Sequence, residues 1–441
     1  LEGWAIQLMK SDQGVGIIDP HNQTYFNLEA RIAKQGRRIW DRVVLINPTD
    51  PDYTVGINPL EPSQEPPERQ ANFLANVIAK MFHADPMITA RMQRMLFHAF
   101  WLLIEARLTL VEFPQVLTNR EYRESLLAEL PQGLDLLTYW FHEFPHQDRL
   151  VTEWTQSSLN KVGALVGDPD FRLIFGQPRN TLNFKQIMDE NKILLINLSK
   201  GQMGSSNSYL MGAFILAQIQ LAAMQRAKEP FRQHPTFSLM IDEFQNYTTD
   251  DIHEIITESR KYGLGLLMSH QNLGQLKDHP QLLNTIRNTV GNLICFRIGN
   301  EDAQELVKDI FLPDVDQVKD IRRRKLPTFI NGVYTTEYDA VWRSLDEIWE
   351  MQLRELTNLP DRQFWYKRRG PYLPVKQRTL SLPPIQFTPE LHKAVAHLRK
   401  TSAERYGLSK PAALATIQAR RQRPPIDEAD DGVTISEYER L

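Results

Sequence analysis

Residues 237–243 (FSLMIDE) constrain the fold of this chain more than any other segment. The run is uncharged until it ends in two adjacent carboxylates, Asp242 and Glu243. A strand of this composition is typical of a parallel sheet, in which helices cover both faces. The segment therefore predicts an α/β protein with a mostly parallel sheet flanked by helices.

Other segments extend this prediction along the 441 residues. A helix over residues 1–11 precedes further apolar runs that predict strands, at 15–18, 43–46, 192–197, 264–268 and 293–298. Apolar residues at helical spacing predict a helical module between the second and third of these strands. We predict four regions: 1–60, the first part of the α/β domain; 61–180, an all-helical insertion domain; 181–380, the remainder of the α/β domain with a hairpin around Asn331-Gly332; and 381–441, a polar, partly disordered tail.

The two carboxylates at 242 and 243 have a chemical interpretation. An α/β sheet binds its ligands at the carboxyl ends of its strands. A first carboxylate there can hold the Mg²⁺ of a nucleotide, and a second can orient or deprotonate the attacking water. This is the Walker B pattern of P-loop ATPases. The alternative is a core strand that runs into an acidic loop.

Two further residues are candidates for the same chemistry. Gln271 follows the predicted strand at 264–268, and its amide could hydrogen-bond a γ-phosphate or the attacking water; a simple polar end to the strand is the alternative. Arg260 precedes that strand and could stabilise charge at the γ-phosphate of a neighbouring subunit. Alternatively, it is a solvated basic residue at a helix end.

Composition excludes several classes of function. The net charge is −3, so there is no global basic field for nucleic acid, and any such contact must be local. The candidate patches are 322–325 (RRRK), 367–369 (KRR) and 420–423 (RRQR), each of which could equally be solvated surface. The single cysteine, Cys295, excludes a disulfide within the chain, and no zinc-site spacing or membrane-spanning run is present.

Several motifs, taken in order, resemble a known family. The chain resembles the HerA–FtsK superfamily of DNA-pumping ATPases, and within it the coupling proteins of type IV secretion and conjugative DNA transfer. The motifs that carry this resemblance are GIIDPH (16–21), INPL (57–60), ILLINLSKG (193–201), MIDEF (240–244), SRKYG (259–263), SHQ (269–271), CFR (295–297) and DA (302–303).

The resemblance implies a RecA-like core with a helical insertion, assembled as a homo-hexameric ring around DNA. It implies ATP and Mg²⁺ as cofactors, Asp242 on Mg²⁺, Glu243 as catalytic base, Gln271 as sensor and Arg260 as a finger acting on the adjacent subunit. Asp19 would lie near the phosphates. Arg297 is a further nucleotide-binding candidate, although a strand arginine can instead pair with an acidic neighbour. Relaxase and secretion-channel proteins are the implied partners, and the cytoplasm, at the inner face of the inner membrane, the implied location.

One departure from the family concerns the phosphate-binding loop. The Gly-x-x-x-x-Gly-Lys-Ser/Thr motif is absent, and the glycine-containing turn at 199–205 lacks its Gly-Lys-Ser/Thr ending. In the family this loop immediately precedes the helix that leads to the Asp-Pro-His strand. We therefore expect the loop to precede Leu1, and the opening helix to lie near the strand ends that are followed by Asp242-Glu243 and by Gln271.

Two alternatives stay open from the sequence. The chain could be a non-hydrolysing relative that serves as a ring component or docking platform, in which Asp242 and Glu243 are vestigial. It could also be a related motor in DNA end processing, chromosome pumping or phage functions.

Overall fold

The computed structural model describes residues 1–63, 65–81, 86–131, 135–145, 147–229, 234–247, 252–277, 279–311, 319–325, 336–342 and 344–421. The chain divides into two compact units. The first comprises Leu1–Ser269 together with Ile385–Leu441, and the second comprises His270–Pro384. No helix in the described part of the chain combines the length and apolar character needed to cross a bilayer.

The strands are β1 (Gly14–Asp19), β2 (Val43–Ile46), β3 (Tyr53–Thr54), β4 (Ile193–Asn197), β5 (Phe237–Ile241), β6 (Leu264–Met268), β7 (Asn292–Cys295), β8 (Lys319–Lys325), β9 (Thr336–Trp342), β10 (Gln363–Arg368), β11 (Val375–Arg378) and β12 (Leu408–Ser409).

The helices are α1 (Glu2–Lys10), α2 (Gln23–Ala33), α3 (Arg37–Trp40), α4 (Pro67–Met81), α5 (Pro86–Glu105), α6 (Phe113–Thr118), α7 (Arg120–Ala128), α8 (Asp135–Thr138), α9 (Asp148–Ser158), α10 (Ala164–Gly167), α11 (Pro169–Phe175), α12 (Phe184–Asp189), α13 (Lys200–Met203), α14 (Ser205–Ala227), α15 (Ile252–Glu258), α16 (Pro280–Thr289), α17 (Asn300–Ile310), α18 (Leu345–Thr357), α19 (Pro389–Tyr406) and α20 (Lys410–Arg421). Short 3₁₀ segments lie at Leu110–Glu112, Phe244–Tyr247, Ser259–Tyr262 and Leu273–Leu276, and π-helical turns at Tyr139–Glu143 and Leu159–Gly163.

The first unit is built on a five-stranded sheet in the order β2-β4-β1-β5-β6, and each neighbouring pair is parallel. Every residue of β1 and β4 is buried, as expected for central strands covered on both faces. The predicted α/β class, with a mostly parallel sheet flanked by helices, is confirmed.

Helices cover the sheet through apolar contacts. Ala5 of α1 and Leu28 of α2 share one buried cluster with Ile17 and Leu195 of the sheet. Alternate strand residues such as Leu194 are also buried, so both faces are covered. Between β3 and β4 the described chain is helical, from α4 to α11, which agrees with the predicted all-helical insertion.

The C-terminal segment corrects one sequence-based expectation. We predicted residues 381–441 as a polar, partly disordered tail, but residues 389–421 form α19 and α20 on the first unit. Leu391 and Leu398 of α19 are buried against the sheet cluster, and β12 pairs antiparallel with β3. Leu391 and Leu398 are seven residues apart, on one face of the helix, and the polar residues around them kept this apolar pattern from standing out in the sequence. Residues 422–441 lie outside the described residues.

The second unit contains a three-stranded antiparallel sheet in the order β11-β10-β7. The strand at 293–298, which we expected to continue the α/β domain, is shortened to β7 and pairs with β10 because its apolar residues pack under α17 and α18. In a separate ribbon, β8 pairs antiparallel with β9, with Lys325 opposite Thr336. The predicted hairpin turn at Asn331-Gly332 lies outside the described residues.

Candidate functional site

Polar residues follow the strands of the five-stranded sheet at their carboxyl ends. Asp19 lies opposite Asn197 in the pairing of β1 with β4. Asp242 follows β5, and its N–H donates to the carbonyl of Ile18 (3.1 Å); Ser269 follows β6, and its N–H donates to the carbonyl of Ile241 (3.0 Å). The parallel register therefore aligns these polar side chains along one edge of the sheet, where α/β proteins bind ligands.

Asp242 is half-buried and oriented by two donors. The hydroxyl of Ser269 donates to its Oδ1 (2.6 Å), and so does the backbone N–H of Glu243 (3.1 Å). Both bonds use the same oxygen, which leaves Oδ2 for a further ligand. A carboxylate fixed in this way suits a hard cation such as Mg²⁺, which proteins bind through one or two carboxylates together with phosphate oxygens and water.

Glu243 lies in an unusual backbone conformation. Its φ angle is +49°, in the left-handed region that non-glycine residues rarely adopt. Its side chain is 7 % exposed, and the amide of Gln245 donates to Oε2. A left-handed glutamate costs about 1 to 2 kcal/mol relative to ordinary backbone, and such strain concentrates at functional sites. The turn therefore holds a second carboxylate, directly after Asp242, in a buried position.

Both carboxylate oxygens of Asp19 accept hydrogen bonds from backbone N–H groups of the chain itself. Its Oδ1 accepts the N–H of His21 and its Oδ2 accepts the N–H of Tyr25, both at 2.8 Å. Burial raises the pKa of Asp19, the two N–H donors oppose that shift, and the negative charge of Asp242 adds to it. Asp19 thus shapes the turn from β1 into α2, and a contact with nucleotide stays a prediction.

The opening helix packs against the sheet. Ala5 and Met9 of α1 are buried in the same cluster as Ile17 of β1. That the first turn of this helix lies near the carboxylates stays a prediction.

The remaining candidates are one residue of the first unit and two of the second. Arg260 is exposed in the 3₁₀ segment that precedes β6, so it is at the amino edge of the sheet, opposite the carboxylates. Gln271 belongs to the second unit, where its N–H donates to Oε1 of Gln275 (3.2 Å). Arg297, also in the second unit, forms an exposed ion pair with Asp361 (3.1 Å), which is the alternative that the sequence left open.

The structure thus brings Asp19, Asp242 and Glu243 together and adds Ser269. Sequence reasoning named Ser269 only as part of a polar strand end and assigned the chemistry there to Gln271. The available signal was positional, because Ser269 follows β6 immediately, as Asp242 follows β5. No cluster of three or more potential metal ligands is present among the described residues.

Comparison with solved structures shows where this architecture occurs. The plasmid coupling protein TrwB with the non-hydrolysable GTP analogue GDPNP matches with a TM-score of 0.54 and 14 % identity, covering 88 % of this chain and 84 % of that one. The chain has the TrwB fold. TrwB in complex with ADP and Mg²⁺ matches with the same TM-score, identity and coverage of both chains. The unbound bacterial conjugative coupling protein TrwBdeltaN70 matches with a TM-score of 0.53 and 14 % identity, covering 88 % of this chain and 82 % of that one. No protein-family model and no curated protein matches the chain.

Proposed function

We propose that this chain is the motor of an ATP-driven DNA translocase of the type IV secretion coupling-protein type. The observation that carries the proposal is the adjacent pair Asp242 and Glu243 at the carboxyl end of β5, with Ser269 bonded to Asp242. Two facts about TrwB support it: this chain shares its fold, and TrwB structures have been solved with nucleotide analogues, ADP and Mg²⁺.

The chain's own residues suggest a division of roles. Asp242, oriented by Ser269, would hold Mg²⁺, and Glu243 would accept the proton of the attacking water. When bound, magnesium-ATP supplies the phosphoryl group whose transfer to water releases the free energy for movement. The burial of Glu243 favours its action as a base, because a carboxylate shielded from bulk water interacts more strongly with a bound water. We also propose, as the family resemblance implies, Gln271 as sensor and Asp19 and Arg297 as nucleotide-binding residues.

The proposal includes assembly. Arg260 is exposed at the sheet edge away from its own chain's carboxylates, which is compatible with action on the nucleotide of a neighbouring subunit. We propose a homo-hexameric ring that grips DNA phosphates without reading bases, together with relaxase and secretion-channel partners at the cytoplasmic face of the inner membrane.

The test is DNA-stimulated ATP turnover by the full-length protein. Replacing Glu243 with glutamine keeps the side-chain shape and removes the base, so turnover should fall roughly a hundredfold or more. The matched control is Glu258→Gln, which alters a carboxylate on another segment that pairs with Lys261 (3.6 Å) and accepts a hydrogen bond from the hydroxyl of Tyr262 (3.2 Å). Unchanged turnover in Glu243→Gln would refute the base assignment. Absence of turnover in the wild-type protein would support the non-hydrolysing alternative.

A further inference from the structure

The three-stranded sheet of the second unit has two chemically different faces. Leu293, Cys295 and Trp365 face α17 and α18 and belong to the core of the unit. Side chains alternate along a strand, so the neighbouring residues project from the other face. This second face, here called the aromatic face, carries Asn292, Ile294, Phe296, Phe364, Tyr366, Arg368, Val375 and Gln377.

The aromatic face is accessible and ordered by its own contacts. Phe296 is 46 % exposed and Val375 is 45 % exposed. The rings of Phe296 and Phe364 lie 5.4 Å apart between centroids, and the hydroxyl of Tyr366 donates to Oδ1 of Asn292 (2.8 Å). The face therefore presents a row of pre-positioned rings, whose ordering on binding would cost little conformational entropy.

The strand that carries two of these rings also places a cation beside them. Arg368 continues the row of Phe364 and Tyr366 along β10, and its guanidinium lies 4.8 Å from the ring centroid of Tyr372. From residue 362 to residue 384 the chain contains no aspartate or glutamate. Lys376 projects from the opposite face, where it pairs with Glu355 (3.0 Å), so Arg368 is the strand cation that the alternation places on the aromatic face.

We infer that the aromatic face binds single-stranded nucleic acid by stacking bases on Phe296, Phe364 and Tyr366. Base stacking on exposed rings, with basic side chains that follow the phosphates, is the chemistry by which proteins bind single strands without sequence preference. A duplex hides the faces of its bases and could use only the positive charge. The choice of DNA as the nucleic acid rests on the proposed function, whereas the stacking surface rests on the second unit alone.

The test measures binding of a fluorescent oligothymidylate to the full chain by anisotropy, without nucleotide. Phe296→Leu combined with Phe364→Leu keeps apolar bulk in the sheet and removes two rings, so the dissociation constant should rise at least tenfold. The matched control is Phe387→Leu, which removes a 59 % exposed ring outside this sheet and should leave the affinity unchanged. The dissociation constant for duplex DNA of the same length should change little in either variant.

The contribution of the positive charge of Arg368 is measured through the salt dependence of binding. Arg368→Gln should reduce the slope of log affinity against log salt concentration by about 0.7, the value for one phosphate contact on a single strand, and Arg368→Lys should keep it. Unchanged oligothymidylate affinity in the double leucine variant overturns the inference. So does a change confined to self-association in sedimentation, which would assign the face to protein docking.

Failure of this inference and failure of the proposed function are distinguishable. Wild-type ATP turnover with ring-independent DNA binding would refute the stacking surface alone. Ring-dependent binding without ATP turnover in the wild-type protein would refute the motor alone and keep the surface.

Discussion

The hydroxyl of Ser269 donates a 2.6 Å hydrogen bond to Oδ1 of Asp242, and this bond joins the ends of two adjacent parallel strands. It fixes the rotamer of the carboxylate proposed to hold Mg²⁺. A hydrogen bond to a charged acceptor contributes more than one between neutral groups, because the charge strengthens the electrostatic attraction. Ser269 is therefore a positioning residue for the proposed site.

Ser269→Ala should weaken this arrangement. We expect the free energy of unfolding to fall by about 1 to 2 kcal/mol, since Asp242 loses a charge-assisted donor while partly exposed to water. The Mg²⁺ concentration for half-maximal ATP turnover should rise, and Ser269→Thr, which keeps the hydroxyl, should restore both values. Urea unfolding and Mg²⁺ titration of turnover measure these effects. Equal Mg²⁺ dependence in the alanine variant and wild type would contradict the positioning role.

Gly212 allows the turn after Asp242 to pack. A Cβ atom at this position of α14 would clash with Cε1 of Tyr247, which ends the 3₁₀ segment following Glu243. Gly212→Ala should therefore lower the free energy of unfolding by about 1 to 3 kcal/mol through overpacking. The control, Gly3→Ala in α1, meets no atom within 4 Å and should raise stability by about 0.5 to 1 kcal/mol. Similar urea midpoints for the two variants would show that Tyr247 moves freely.

Arg399 neutralises a buried carboxylate. Its Nε and Nη2 donate to the two oxygens of Glu29, each at 2.7 Å, and Glu29 is 1 % exposed. Arg399→Ala should cost about 2 to 3 kcal/mol of unfolding free energy, because it leaves Glu29 buried without its cation, although the one-third exposure of Arg399 moderates the loss. Arg405→Ala on the same helix breaks an exposed pair with Asp41 and should cost less than about 1 kcal/mol. Equal losses would mean that Glu29 regains hydration.

His98 makes the helical insertion sensitive to acid. Its ring stacks on Tyr139 with centroids 3.7 Å apart, and burial, helped by the charge of Arg94, lowers its pKa to about 4. Because the folded pKa lies below the unfolded value of about 6.5, this contribution to stability is present above pH 6.5 and is lost as the pH falls towards 4. Denaturant unfolding should show a loss of about 2 to 3 kcal/mol over that range in wild type. In His98→Phe the free energy of unfolding should fall less over the same pH range, by about the contribution of His98. An identical pH dependence of stability in the two proteins would show that another group causes the acid sensitivity.

Arg260 can be tested by mixing subunits. If it stabilises charge on a neighbour's nucleotide, adding Arg260→Ala protein to wild type should lower ATP turnover more than dilution predicts. Lys261→Ala, which removes the adjacent exposed cation, provides the control. Turnover strictly proportional to the wild-type fraction would argue against action between subunits.

Much of the first unit could be predicted because its strands are short apolar runs, and local composition reports burial on both faces. The position of Asp242 and Glu243 at a strand end followed directly from that pattern. The helices at 389–421 could not be predicted, because α19 is buried only through a few apolar positions within a polar segment. The antiparallel pairing of β7 could not be predicted either, since an apolar run of four residues is compatible with a parallel or an antiparallel sheet.

The sequence by itself determined which segments are buried strands, which end in carboxylates, and that a helical module separates two parts of the sheet. Those properties depend on the composition and spacing of neighbouring residues. Only the tertiary structure decided that Ser269 bonds to Asp242, that Arg399 reaches Glu29 across 370 positions, and that rings of β7 and β10 share one open face. Such contacts depend on strand order and register, which arise from the packing of the whole unit and have no local signature.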